Sequence, residues 1–372
     1  MNNSEIAHRR IRNQGLSKII FKDAVEAVTQ LGAVQAQDYA GAKWALGQRL
    51  KDSSDASLDQ AFADSSILRT HLLRPTWHFV APADIRWLLT LTAPRVHAVN
   101  AFMYRQSGLD KAIFRKSNAV LEKTLQGGKQ LTRKELASAL HKAGIPAEGF
   151  RLNYLMMYAE LEGVICSGSR RGKQFTYALL EERVPAVKAV KREEALAELT
   201  RRYFTTRGPA TLQDFTWWSG LTIADADNGI EMVRSGFVRE EINGRTYWYI
   251  ASKPPTKKKS PTAYLLPNYD EYFIGFKDRS AIGEIAKQAD IKSNDPRLIA
   301  HIIVLDGQVI GGWRRTLNKE SVTVEINLIA KLMKPEENAI RDAAERYARF
   351  IELPVELILQ ESNHEQRKTR SF

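Results

Sequence analysis

Phe237-Val238-Arg239-Glu240-Glu241-Ile242, then Asn243-Gly244, then Arg245-Thr246-Tyr247-Trp248-Tyr249-Ile250, reads as two strands joined by a two-residue turn. Asn-Gly is the strongest short hairpin signal, because both turn positions take positive φ. Upstream of this hairpin, residues 192–206, 211–218 and 223–235 read as helices. Three helices followed by a two-stranded wing make a compact unit.

The same order of elements occurs twice more. In the first copy, residues 21–31 place Ala24, Val25, Ala27, Val28 and Leu31 on one face at helical spacing. Helices over 39–50 and 58–63 follow, then strands over 67–71 and 76–80 with Leu72-Leu73-Arg74-Pro75 at the bend. The second copy has long helical segments over 82–126. Thr132-Arg133-Lys134-Glu135 is then a capping box opening a helix to Lys142, and a further helix spans 148–163. Its strands, 164–167 and 174–179, flank the tip Gly168-Ser169-Arg170-Arg171-Gly172-Lys173.

This is the winged-helix arrangement, a variant of helix-turn-helix. The expected fold is α+β and predominantly helical, with three tandem winged-helix units over 1–82, 83–188 and 189–252. A proline- and lysine-rich linker over 252–261 precedes a β-rich terminal region over 263–372. In that region strands are expected at 263–266, 301–306, 308–314 and 322–326, with a tight turn at Asp306-Gly307 and a helix over 335–351. The polar, basic tail after Gln360 is expected to fray.

At 372 residues with 44% hydrophobic and 26% charged content, the chain has material for several cored domains. The net charge of +12 is unusual, and a basic chain of this size is suited to a polyanion, most often nucleic acid. A single cysteine, Cys166 in the apolar run Gly163-Val164-Ile165-Cys166, excludes an internal disulfide and any multi-cysteine zinc site. The scattered histidines show no H-x-x-x-H or H-E-x-x-H spacing, so neither a metal nor a cofactor is expected. Met1-Asn2-Asn3-Ser4-Glu5 lacks a charged-then-apolar leader and no apolar run would span a bilayer; a cytoplasmic, monomeric protein is expected.

The chemistry is carried by Val34-Gln35-Ala36-Gln37-Asp38. In an extended segment Gln35 and Gln37 share one face, opposite Val34 and Ala36. Amides are neither strong bases nor nucleophiles. They can orient a water and offer carbonyl dipoles to a developing positive charge, which suits a reaction whose leaving group is already good. Asp38 reads as the cap of the next helix.

Leu31-Gly32-Ala33-Val34-Gln35-Ala36-Gln37, with Arg69-Thr70-His71 and Arg74-Pro75-Thr76-Trp77-His78-Phe79, resembles the winged-helix family of bacterial DNA glycosylases typified by AlkZ and YcaQ. Leu265-Leu266-Pro267-Asn268-Tyr269-Asp270-Glu271-Tyr272 and Gly311-Gly312-Trp313-Arg314-Arg315 extend the likeness over nearly the whole chain. The resemblance implies a C-shaped assembly around a basic channel for double-stranded DNA, and removal of bulky N7-alkylguanines and crosslinks. It places the Gln-x-Gln motif of the AlkZ-like branch on Gln35 and Gln37. The YcaQ-like branch has Asp at the second position, where this chain has Gln37.

The chemistry agrees with that likeness. An N7-alkylguanine is already cationic, so its glycosidic bond breaks with little help. Monofunctional hydrolysis is expected, because no motif marks a Schiff-base lysine. Expected DNA contacts are Arg74 and His78 in the first hairpin and Arg170, Arg171 and Lys173 in the second wing. Asp38, Trp77, Asp270, Glu271 and Arg314 are candidates to line the site; the leading alternatives are a core aromatic for Trp77 and, for Asp270 and Glu271, the holding of a basic partner such as Arg279 or Arg314. The competing reading is a non-catalytic winged-helix transcriptional regulator, although regulators usually present one module per chain and dimerise on paired half-sites.

Overall fold

The computed structural model describes residues 1–184, 186, 188–251, 260–288 and 301–360. Most of the expected linker, 252–259, and the tail after Gln360 lie outside the described residues.

Helices dominate the first two-thirds of the chain and are interrupted by three small antiparallel sheets. In the first, the short strand Val34–Gln35 pairs with Thr76–Val80, which pairs in turn with Leu68–Leu72. The second repeats this plan: Leu131–Thr132 pairs with Thr176–Leu179, which pairs with Ile165–Ser167. The third is the hairpin Val238–Ile242 with Arg245–Tyr249, turned at Asn243 and Gly244, both at positive φ. There the short strand shrinks to a single bridge between Ala210 and Trp248. In each case a short extended segment precedes a helix and pairs with the second strand of the following hairpin.

The terminal region is a five-stranded sheet with Tyr39–Gly47 and the helix Lys334–Ile351 packed against it. Its strand order is Val355–Gln360, Val322–Leu328, Gln308–Leu317, His301–Leu305, Ala263–Leu266. The first two of these run parallel, and the remaining neighbours are antiparallel. The strand Val355–Gln360 lies beyond the expected set, since its partner sits on the far side of an intervening helix.

The hydrophobic cores do not follow the order of the units. Val34, Ala36, Tyr39 and Phe79 from the first unit share one core with Leu265, Trp313, Tyr347 and Phe350 from the terminal region. Trp44 donates its indole N–H to the Leu265 carbonyl at 2.7 Å. A β-carbon on Gly47 would fall 2.5 Å from the Phe350 ring, so only glycine allows this approach. Leu68, Leu72 and Leu73 of the first hairpin pack instead with Leu199, Tyr203 and Trp218 of the third unit.

An N-terminal helix, Asn3–Asn13, was not among the expected elements, although its local signal is present. The Asn2 side chain caps Glu5 N, and the Glu5 carboxylate returns to the Asn2 N–H. Its buried Ile6, Ala7 and Ile11 pack against Ile242, Tyr247, Tyr264 and Tyr272, tying the third unit to the terminal sheet. Among the described residues no helix is long and apolar enough to cross a membrane.

Candidate active site

The Gln-Ala-Gln segment is held between two helices. Ala24–Leu31 ends at Gly32, whose φ of +78° turns the chain into the strand. Val34 pairs with Phe79 and Gln35 with His78; Ala36 N–H then donates to the Trp77 carbonyl at 2.7 Å. Asp38 caps the following helix, Tyr39–Gly47, by accepting the Gly41 N–H at 3.1 Å, as its sequence position indicated.

The alternation expected of an extended segment holds. Val34 and Ala36 are buried in the core shared with the terminal sheet. Gln35 lies in the cross-strand row Gln35, His78, Thr70, beneath the hairpin tip. Gln35 is buried and fixed at both ends: its backbone N–H donates to Glu271 Oε1 at 2.9 Å, and its Oε1 accepts Arg74 Nη2 at 2.7 Å. Gln37 is exposed, and its Oε1 accepts the Trp77 N–H at 3.3 Å. One amide is therefore anchored and the other is open to solvent.

Glu271 serves this anchoring, and Asp270 beside it forms a separate buried ion pair. Both are fully buried. Glu271 Oε2 accepts Arg207 Nη2 at 2.6 Å, Arg207 Nε at 3.3 Å and Trp218 Nε1 at 2.9 Å, while its other oxygen holds Gln35. Asp270 takes a bidentate pair from Arg49, at 2.9 and 2.8 Å, and the Tyr272 N–H. Their basic partners are Arg207 and Arg49, not Arg279 or Arg314. Arg279 instead donates to the Phe273 carbonyl, and Arg314 is exposed. It is Arg315 that approaches Asp38, at 3.9 Å. These partnerships cross 64 and 221 residues of chain, and no local pattern encodes them.

Arg74, expected at a groove or phosphate, is turned inward. Besides Gln35 it reaches the Trp217 carbonyl at 3.4 Å and lies 5.9 Å from that indole ring. Burial lowers the Arg74 pKa from its ordinary value. His78 is fully buried behind Gln35, which removes it from any DNA-facing surface. Its Nδ1 lies 3.0 Å from the Thr76 carbonyl, so Nδ1 carries the proton, and the buried Nε2 has no hydrogen-bond partner among the described residues. Desolvation holds its pKa well below the usual histidine range, and the ring is neutral.

The second wing divides likewise. Arg170 folds back, 3.9 Å from Asp59 and stacked near Tyr39 and Phe175 at 5.0 and 5.3 Å. Arg171 is exposed but paired with Glu135 at 2.9 Å. Lys173 is fully exposed at the tip. Trp77 is half-buried, with its ring 4.3 Å from His71 and 4.3 Å from the Arg69 guanidinium. Cys166 is buried, and desolvation pushes its thiol up to about 12, in keeping with an inert core residue.

One relative, from Streptomyces sahachiroi, is similar to this chain in both sequence and structure. The interstrand DNA cross-link repair glycosylase of Streptomyces sahachiroi is 24% identical over 326 residues, covering 82% of this chain and 85% of that protein. The solved structure of the Streptomyces sahachiroi DNA glycosylase AlkZ superposes with a TM-score of 0.77 at 21% identity, covering 95% of this chain and 99% of that one. The family model for DNA glycosylase AlkZ-like proteins matches residues 28–350, a span containing the paired glutamines, Asp270, Glu271 and four of the five strands of the terminal sheet. The chain belongs to the AlkZ-like family and is a DNA glycosylase.

Proposed function

We propose that this glycosylase hydrolyses the N-glycosidic bond of N7-alkylated purines in double-stranded DNA, with Gln35 and Gln37 as its catalytic residues. The observation carrying this reading is the pair itself: two amides two residues apart at the end of a strand, one anchored by Glu271 and Arg74, the other open to solvent. The nearest carboxylates are committed, Asp38 to its helix cap and Glu271 to Arg207. Such a site has no strong base to offer, so it serves a leaving group that departs unaided.

Alkylation at N7 supplies that leaving group. The C1′–N9 bond breaks with its electron pair flowing onto the cationic purine, and the sugar becomes an oxocarbenium ion. Gln37 Oε1 positions the attacking water. Gln35, held in place by Glu271 and Arg74, adds its amide dipole to the stabilisation of the sugar cation. Preorganised dipoles of this kind contribute about 2.7–4 kcal/mol each in favourable cases. The water's proton leaves to solvent, and hydrolysis without a Schiff-base step makes the enzyme monofunctional.

Three winged-helix units, over 1–82, 83–188 and 189–252, with the β-rich region over 263–372, form the C-shaped scaffold. The recurring short strand, helices and hairpin support this assignment. The +12 charge suits duplex DNA, and the cross-link repair activity named for the Streptomyces relative makes an interstrand crosslink a second substrate. The protein acts as a cytoplasmic monomer. The test is release of N7-methylguanine and unhooking of an N7-linked crosslink by purified protein. Gln35→Ala/Gln37→Ala should lose at least a thousandfold in rate while retaining duplex affinity, and full activity in that variant overturns the assignment.

A further inference from the structure

On the side of the first sheet opposite Gln35, a cavity of 640 Å³ lies between the first hairpin and the second unit. Its walls include Trp77, Phe175 and Tyr177, and its cations are Arg69, Arg133, Lys134 and Lys173. No carboxylate lines it among the described residues. Arg69 is the unusual member. Only 8% exposed, it donates Nε to the Ala36 carbonyl at 3.0 Å, and its guanidinium carbon sits 4.3 Å from Trp77 and 4.5 Å from Phe175. Burial pushes its pKa down to about 10.

A free phosphate would not need the three rings, and a neutral arene would not need four cations. A planar ring covalently joined to an anion uses both. Trp77 connects the cavity to the glutamine segment: it lines the cavity, and its backbone N–H donates to Gln37 Oε1 at 3.3 Å.

We propose that this cavity binds one unstacked nucleotide of the DNA, its base against Trp77, Phe175 and Arg69 and its phosphate on Lys134 and Lys173. The inference rests on duplex DNA being the substrate, as argued above. It adds a separate nucleotide site that draws one base out of the stack beside the lesion, which itself stays in the open channel. Stacking on aromatic and guanidinium planes accepts any base, so the site exerts no sequence preference.

Photo-crosslinking tests this. 5-Iodo-2′-deoxyuridine is walked through both strands of a duplex carrying a hydrolysis-resistant 2′-fluoro N7-methylguanine nucleotide. Irradiation should join one register to Trp77, Phe175 or Tyr177, identified by peptide mass spectrometry. Ala137→Trp, which fills the cavity, should cut that yield at least tenfold. Lys134→Glu/Lys173→Glu, confined to exposed positions, should do the same even if the filled variant fails to fold. Crosslinks mapping elsewhere, or yields unaffected by both variants, overturn the proposal. So does a filled variant that keeps the crosslink but rejects N7-benzylguanine relative to N7-methylguanine, since the cavity would then hold the adduct's arene. N7-methylguanine release, measured on the same wild-type protein, judges the glycosylase mechanism independently, because crosslinking requires binding and no turnover.

Discussion

Glu271→Gln is the sharpest perturbation of the site. The carboxylate is completely buried and receives Arg207, the Trp218 indole and the Gln35 backbone N–H. The substitution keeps volume but replaces one oxygen with an NH2 group that must face a donor, and it leaves Arg207 charged and buried. Breaking a buried pair by neutralising one partner costs about 3–5 kcal/mol. Retention of one acceptor oxygen places this change near the lower end, about 3 kcal/mol. Loss of the restraint on Gln35 should slow N7-methylguanine release about tenfold, equivalent to about 1.4 kcal/mol. Urea denaturation and single-turnover release measure the two effects separately. Arg207→Met/Glu271→Leu then distinguishes them: a buried pair replaced by apolar groups should recover most of the stability, but the Gln35 amide still lacks its acceptor and the rate stays low. Glu271→Gln with a urea midpoint and a release rate both equal to wild type would refute the anchoring role.

Other consequences follow from the same geometry. Lys173→Ala should lower the slope of log affinity against log salt by about 0.9, as for one phosphate contact. Arg170→Ala should leave the slope unchanged, because that guanidinium faces Asp59 and two aromatic rings. Acid should destabilise the fold through His301. Burial and Arg315 push its pKa down to about 4, and its Nδ1 accepts the Asn268 N–H, which requires the neutral ring. The unfolded chain protonates first, near pH ~6.5, so this contribution is complete above that value and is lost as pH falls toward 4. Thermal midpoints measured across that window should decline, and His301→Gln should flatten the decline. Gly220→Ala should lower both thermal midpoint and release rate. At φ +72° a β-carbon there would lie 2.3 Å from the Leu73 carbonyl, so the hairpin tip bearing Arg74 must shift.

Elements written in local chemistry were legible in the sequence. The Asn243-Gly244 turn, the Thr132–Glu135 box, the Asp38 cap and the Thr76–Val80 strand depend on residues within a few positions of one another, and each is present. The helix Asn3–Asn13 carried an equally local box in Asn2 and Glu5 that went unread. Distant pairings were a different matter. Asp270 and Glu271 stood out as adjacent acids among aromatics, but Arg49 and Arg207 had nothing in their own neighbourhoods to mark them as partners. Arg74, Arg170 and His78 show the same limit from the other side. Side-chain type suggested contact with DNA, whereas tertiary packing turned them inward.

The bond from Gln35 to Glu271 spans 236 residues of sequence. During translation the glutamine strand therefore leaves the ribosome long before the carboxylate that fixes it exists. The core beneath that strand also waits for Trp313, Tyr347 and Phe350. A chain truncated before these residues lacks both the acceptor that fixes Gln35 and the far side of the core beneath its strand. Completion of synthesis is thus the precondition for the geometry of the glutamine strand.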